Sequence, residues 1–411
     1  MAGFKIRDEM SGIQEAPGKV WFWDLEEAVI DAGRCIQCGA CVAACPSDSI
    51  GVGKNDLPAL VKMCTGCSLC WDFCPRGGLR YEATFPLSEL TPESTDRHEL
   101  PWKVTGDPPA TGLGAMLEQH TARVKEPIPG AQDGGVVSAL LIALLEAGDI
   151  DGALVAREDP EEQWKAIPHV VTTPDEVVEC AGSFYNQTLA LGHLDLKHYD
   201  LPPEPRLVLV GTPCEVQGLR AMQARPWHHW GSSHVDAVVL TVALVCTKSF
   251  NYEALMLRQL RDDRGVDLDR VGRVDVIRGK LIVDDTAGNS VLEEPIRDFH
   301  DAALKGCDEC ADFLGYGADI SVGSVGSGHG FSSVIVRTPV GMTAFARVRD
   351  RLELRPLEEP QRLLKLQATD RRRALETLKR PLDPDAPLFI DFEDHVASYA
   401  GTDRAPVTID R

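Results

Sequence analysis

Eight of the thirteen cysteines fall in two runs of identical spacing, Cys35-x-x-Cys38-x-x-Cys41-x-x-x-Cys45-Pro46 and Cys64-x-x-Cys67-x-x-Cys70-x-x-x-Cys74-Pro75. Three thiolates two residues apart wrap three corners of an iron–sulfur cube, and sulfur suits iron electronically. The fourth cysteine of each run lies too far along to close the same cube. In the bacterial two-cluster arrangement it ligates the other cluster and stitches the halves together. One [4Fe–4S] cluster is therefore expected on Cys35, Cys38, Cys41 and Cys74, and a second on Cys64, Cys67, Cys70 and Cys45. Zinc knuckles use paired C-x-x-C units rather than triple runs closed by Cys-Pro.

A bare two-cluster module would end near residue 85, and the chain has 411 residues. That is too long for one ordinary core, so two or three domains are expected. The chain is 44% hydrophobic and 26% charged, which is globular composition. It has no apolar run of about 18 residues, so no membrane span is expected. The first ten residues lack the apolar core of a secretion signal, which places the protein in the cytoplasm. There, cysteines read as metal ligands or redox groups rather than disulfides. A net charge of −21 argues against a nucleic-acid partner, because phosphate binding needs a basic surface.

The expected organisation is a lead (1–33), the two-cluster domain (34–84), a Pro-rich linker (85–132), an α/β domain (133–380) and an acidic tail (381–411). In the lead, Asp24 can cap a helix over Leu25–Ala32. Within the linker the pattern reads as one helix, Gly114–Val124. From Gly134 strands alternate with helices: strands over Ala153–Ala156, Arg206–Val210, Val235–Cys246, Asp319–Gly323 and Ser332–Arg337. Helices fill Gly134–Ala147, Cys214–Ala224, Tyr252–Asp262, Pro295–Leu304, Met342–Asp350 and Gln361–Leu378. The fold class is α/β, α+β overall: a ferredoxin fold followed by a mixed sheet covered by helices.

Five cysteines remain. Cys214 follows an apolar strand in Gly211-Thr212-Pro213-Cys214, Cys246 ends another, and Cys307-x-x-Cys310 precedes Asp312. Strand ends in an α/β sheet converge on one edge, where ligand sites collect. Four thiolates there can hold a third cluster; buried structural thiols with an isolated C-x-x-C fit the spacing equally. Cys180 reads as a buried small residue.

Gly134-Gly135 opening a helix, Ser183-x-Tyr185, Gly211-Thr-Pro-Cys214, Cys246, Cys307-x-x-Cys310-x-Asp312 and Ala318-Asp-Ile-Ser-Val-Gly323 occur in that order. Over roughly Lys103 to Arg380 the chain resembles the beta subunits of coenzyme F420-reducing hydrogenases and dehydrogenases. The resemblance implies FAD, one [4Fe–4S] cluster on Cys214, Cys246, Cys307 and Cys310, and hydride exchange with coenzyme F420. It also accommodates an N-terminal two-cluster ferredoxin. Clusters pass single electrons whereas deazaflavins give hydride, and a flavin joins the two.

No dinucleotide fingerprint is present. The stretch Gly323-Ser-Val-Gly326-Ser-Gly328-His-Gly330 has the wrong spacing and leads into a strand. The resemblance implies that this loop approaches FAD. Gly134 and Gly135 can present N–H groups to a phosphate, or form only a tight turn. Ser183, Tyr185, Asn186, Gln187 and Thr212 are candidate cofactor contacts. Lys280, in Arg278-Gly279-Lys280, reads first as part of a hairpin turn and alternatively as a phosphate-binding cation. His329 reads as a surface histidine. No catalytic side chain is assigned. The expected function is an iron–sulfur flavoprotein linking coenzyme F420 to a redox partner subunit, a hydrogenase, dehydrogenase or reductase module. The alternatives are a flavin reductase acting directly on an organic molecule, such as a chlorophyll-type skeleton, and a non-catalytic relay subunit.

Overall fold

The two cysteine runs fold as repeats of one another in the structure, a computed structural model that describes residues 21–53, 56–77, 113–223 and 232–378. Gln37 (φ 52°) and Gly39 (φ 80°) are left-handed in the first run, and Gly66 (φ 68°) and Ser68 (φ 66°) are left-handed at the same places in the second. Each run then makes a single-turn helix, Ala40–Ala43 or Leu69–Asp72. An antiparallel ribbon of β1 (Ile50–Val52) and β2 (Pro58–Leu60) lies between them. Ahead of the module, an α-turn at Phe22–Leu25 continues as a π-helix over Glu26–Asp31. The helix starts earlier than expected. Trp21 is its N-cap, and Asp24 reaches back to accept the Trp21 N–H at 2.6 Å.

The body is an eight-stranded mixed sheet. Its strands in chain order are β3 (Glu118–Val124), β4 (Gly152–Glu158), β5 (Ala166–Val171), β6 (Leu207–Gly211) and β7 (Val238–Leu244), then β11 (Ile320–Gly323), β12 (Ser332–Val336) and β13 (Leu352–Pro356). The spatial order is β13-β3-β12-β11-β7-β6-β4-β5. The inner four, β11, β7, β6 and β4, are parallel, and the flanking pairs are antiparallel. Buried on both faces, the inner strands read as continuous apolar runs such as Leu207-Val-Leu-Val210. Two polar side chains are buried in these strands, Ser321 in β11 and Thr241 in β7. Thr241 is fully buried. It meets Asp319 and Arg220, whose buried ion pair closes at 2.8 Å.

Helices Val136–Glu146 and Pro339–Val348 cover one face, with Leu140, Leu141, Val208, Val242 and Phe345 in a shared core. On the other face, helix Pro213–Gln223 packs with the cysteine module itself: Ile36, Ala40, Leu69 and Phe73 share a core with Leu191, Leu219 and Phe313. Fully burying one such side chain stabilises by about 1.5–3 kcal/mol, so the module is built into the body rather than tethered to it. A separate antiparallel sheet, β8 (Val271–Ile277), β9 (Lys280–Asp285) and β10 (Ser290–Pro295), encloses a third core with Phe250, Leu255 and Phe299.

Several expectations change. Gly114–Val124 is not a helix: Glu118–Val124 is β3, hydrogen-bonded between β12 and β13, so part of the expected linker belongs to the sheet. Tyr252–Asp262 becomes a π-helix over Glu253–Asp262, and Pro295–Leu304 a 3-10 helix over Ile296–Ala302. Strands β5 and β13 were not anticipated. The rest of the linker (85–112) and the tail (381–411) lie outside the described residues. Among the described residues no helix is long and apolar enough to cross a membrane.

Candidate redox site

None of the thirteen cysteines forms a disulfide. Twelve of them gather in three groups of four. Cys74 lies within electrostatic reach of Cys35, Cys38 and Cys41. Cys45 stands in the same relation to Cys67 and Cys70, with Cys64 beside them. The fold thus brings Cys74 near the first run and Cys45 near the second. The third group brings together Cys214 at the end of β6, Cys246 after β7, and Cys307 and Cys310 around the 3-10 turn Lys305–Glu309. The groups adjoin one another. Cys41 of the first lies within electrostatic reach of Cys70 of the second, and Cys38 of the first within reach of Cys214 of the third. Cys180 stands apart, half-buried at the C-cap of helix Pro174–Glu179.

The backbone supplies donors to these sulfurs. Gln37 N–H donates to Cys35 Sγ at 3.4 Å and Gly66 N–H to Cys64 Sγ at 3.4 Å, the same residue in each repeat. Ser49 N–H donates to Cys45 Sγ at 3.2 Å, and Ser249 N–H to Cys307 Sγ at 3.5 Å. Burial pushes the Cys35 thiol up to about 12 and the Cys310 thiol to about 11. It raises Cys41, Cys70, Cys214 and Cys246 further. Left without a cation such thiols stay protonated, and ligation to a metal centre would release the protons. Among the described residues no three His, Cys, Asp or Glu side chains close around the place of a single ion.

The module is locked to the body at the third group. Arg34 grips Glu309 in a bidentate pair, at 2.5 and 2.7 Å, and also donates to Arg76 O at 3.0 Å. Leu189 and Leu191 N–H groups donate to Gln37 O and Cys38 O. Gly39 is required there: a Cβ would sit 2.5 Å from both Gly192 N and Leu189 O.

Beside the third group lies a shallow cleft walled by Trp164, Phe184, Tyr185, Phe250, Tyr252, Leu255, Met256 and Val274, with Ser183, Asn186 and Asn251. Its walls are continuous with the thiol group. Phe250 follows Ser249, the donor to Cys307, and Asn186 precedes Gln187, whose side-chain amide donates to Thr212 Oγ1 at 2.9 Å and Cys214 Sγ at 3.5 Å.

The sequence-predicted cofactor residues divide accordingly. Ser183, Tyr185 and Asn186 line the cleft. The Tyr185 hydroxyl donates to Asp275 Oδ1 at 3.2 Å, and the Asn186 amide pairs with both backbone groups of Ala166. Gln187 and Thr212 serve Cys214. Gly134 N–H is taken by Ser332 Oγ at 3.1 Å and Gly135 N–H by Gln132 O at 3.1 Å, and a Cβ on Gly134 would meet Ala122 O at 2.2 Å. Gly323 packs against Val245, where a Cβ would come within 2.0 Å. Gly326 (φ 93°) turns a loop pinned by Ser327, which bonds Thr121 and Ser333 at 2.8 Å each before β12. Lys280 opens β9 after the Arg278-Gly279 turn and pairs with Glu293 on the surface at 2.5 Å. Phe184 lies inside the Ser183-x-Tyr185 motif without being singled out by it, whereas Trp164 and Phe250 come from separated segments and belong to no motif.

Buried thiols in crossed ferredoxin groups, set at the edge of a mixed sheet, define an iron–sulfur oxidoreductase. Residues 28–80 match the model of a 4Fe-4S dicluster domain. Residues 119–195 and 205–360 match the N-terminal and C-terminal models of the coenzyme F420 hydrogenase/dehydrogenase beta subunit. The chain belongs to the family of coenzyme F420 hydrogenase/dehydrogenase beta subunits. It is 33% identical to the Methanosarcina barkeri coenzyme F420 hydrogenase beta subunit, over 60% of this chain and 84% of that one. It is 28% identical to a Methanosarcina mazei F(420)H(2) dehydrogenase subunit, over 82% and 88% respectively. With the coenzyme F420-dependent sulfite reductase of Methanocaldococcus jannaschii it shares 29% identity over 84% of its own length, but spans only 50% of that protein. In three dimensions it is similar to a chain of the F420-reducing [NiFe] hydrogenase complex from Methanosarcina barkeri, with a TM-score of 0.60 and 28% identity, covering 67% of this chain and 94% of that one.

Proposed function

We propose that the protein exchanges hydride with coenzyme F420 through FAD and relays electrons singly through three [4Fe–4S] clusters, to or from a cytoplasmic redox partner subunit. One observation carries this reading: the three four-thiol groups adjoin in a row, and the last shares its walls with an aromatic cleft. In this reading Cys35, Cys38, Cys41 and Cys74 hold the first cluster, and Cys64, Cys67, Cys70 and Cys45 the second. Cys214, Cys246, Cys307 and Cys310 hold the third. Bound FAD would supply the conversion between electron pairs and single electrons.

The chain's own residues have narrower tasks. The aromatic walls of the cleft stack a flat ring and exclude water, while Ser183 and Asn251 offer polar contacts at its edge. Orientation of two rings face to face is the main catalytic contribution expected of such a site. Gln187 and Thr212 hold Cys214 in position between cleft and relay. Anaerobic purification with metal and flavin counts tests the assignment. About twelve irons and one FAD per chain are expected. Twelve irons without flavin would leave a relay subunit, and zinc in place of iron would end the proposal.

A further inference from the structure

Arg76 follows the closing Cys74-Pro75 of the second cysteine run and is only 2% exposed. Its Nε donates to Gly306 O at 2.6 Å, beside Cys307, and its Nη1 to Pro75 O at 3.0 Å, beside Cys74. The guanidinium therefore spans the seam between the first ferredoxin thiol group and the third group. Among the described residues no carboxylate forms an ion pair with it. Glu309, the nearest candidate, is engaged by both nitrogens of Arg34. A buried charge without a counter-ion is strongly disfavoured. Apart from Glu309, which also acts on Arg76 but is already paired by Arg34, the groups that can carry negative charge towards Arg76 are sulfurs: Cys214, Cys307 and Cys310 on one side, Cys35 and Cys74 on the other. The second group has no such neighbour; Cys67 and Cys70 interact chiefly with fellow cysteines.

We propose that Arg76 is the shared counter-charge of the first and third clusters, raising both reduction potentials together and leaving the second cluster the more reducing. This rests on the three-cluster reading of the proposed function. A fixed cation favours the reduced, more negative state of any cluster it faces. Between two clusters it also offsets their mutual repulsion, so an electron crosses the seam without a large step in potential. Arginine suits the position because its planar fork stays charged while both neighbouring carbonyls take hydrogen bonds.

The test is a mediated redox titration of the anaerobically purified holoprotein, with the clusters resolved by electron paramagnetic resonance. In Arg76→Gln the reduced-to-oxidised ratio of two clusters, at a fixed potential, should fall about tenfold, equivalent to about 59 mV for a one-electron couple. The third signal should hold its value, and Arg76→Lys, which keeps the charge, should restore most of the shift. Unmoved potentials in Arg76→Gln with iron retained would overturn the proposal, and so would an equal shift of all three clusters. Should Arg76→Gln lose iron, retention of iron and potentials in Arg76→Lys supports the counter-charge; the same loss in Arg76→Lys refutes it. A wild-type count near eight irons removes the third cluster and this proposal with it. A count near twelve with unshifted variants refutes the role of Arg76 alone.

Discussion

Asp319 carries four interactions in the centre of the sheet, and its removal gives a large, calculable effect. Its carboxylate accepts from Arg220 Nη2 at 2.8 Å, Thr241 N–H at 2.8 Å, Thr241 Oγ1 at 3.0 Å and Thr338 Oγ1 at 2.7 Å. The paired side chains are 4% and 3% exposed. Asp319→Ala strands the Arg220 charge, which costs about 3–5 kcal/mol when one partner of a buried pair is removed. The orphaned Thr241 N–H adds to this without being additive. At about 2–4 °C per kcal/mol for a body of this size, a net 4 kcal/mol lowers the melting midpoint by about 8–16 °C. The double variant Arg220→Met/Asp319→Leu removes both charges and should recover most of the loss. Thermal unfolding by circular dichroism under anaerobic conditions reads the midpoints, with iron counted first so that cluster loss is not mistaken for the effect. A shift under 2 °C in Asp319→Ala, or a double variant no better than the single, would refute the argument.

Cys307→Ser should remove about four irons per chain while leaving the ferredoxin-type resonance signals in place; unchanged iron would mean that the third group holds no cluster. Gly39→Ala forces a side chain into a left-handed residue and onto the Leu189–Gly192 backbone. A loss of about 2–5 kcal/mol is expected, read as a lower melting midpoint. Burial, aided by the neighbouring Asp275, raises the Asp133 carboxyl to about 6. Its stabilising protonated form is fully present below the unfolded value near 4 and is lost as pH rises through 6. Asp133→Asn should therefore raise stability by about 2 kcal/mol at pH 7.5 and by little at pH 4; an equal gain at both pH values would contradict this.

The cysteine module was legible because its spacing is local: the same left-handed positions recur at 37 and 66 and at 39 and 68. The inner strands were legible for a similar reason, as runs buried on both faces can be little else. The third thiol group depends on three segments far apart in sequence, and spacing alone fits structural thiols equally well; only the family resemblance favours a cluster. Glu118–Val124 was read as a helix because Glu-Gln-His-Thr-Ala-Arg-Val has no clean alternation; pairing on both sides makes it a strand, so tertiary context decides. Asp319 is visible in the sequence only as part of a strand and a motif, and Arg76 not at all, since a buried charge is recognisable only when its partners are known. The aromatic cleft was half seen: Ser183, Tyr185 and Asn186 stood out, but Trp164 and Phe250 join them only through folding.

The central claim is that electrons pass between coenzyme F420 and the chain of thiol-held clusters. Anaerobic rapid mixing of the iron- and flavin-replete protein with reduced coenzyme F420 tests it, following coenzyme absorbance and cluster resonance together. The expected result is oxidation of the coenzyme together with reduction of the clusters. Coenzyme that stays reduced beside clusters a chemical reductant can still fill would contradict it.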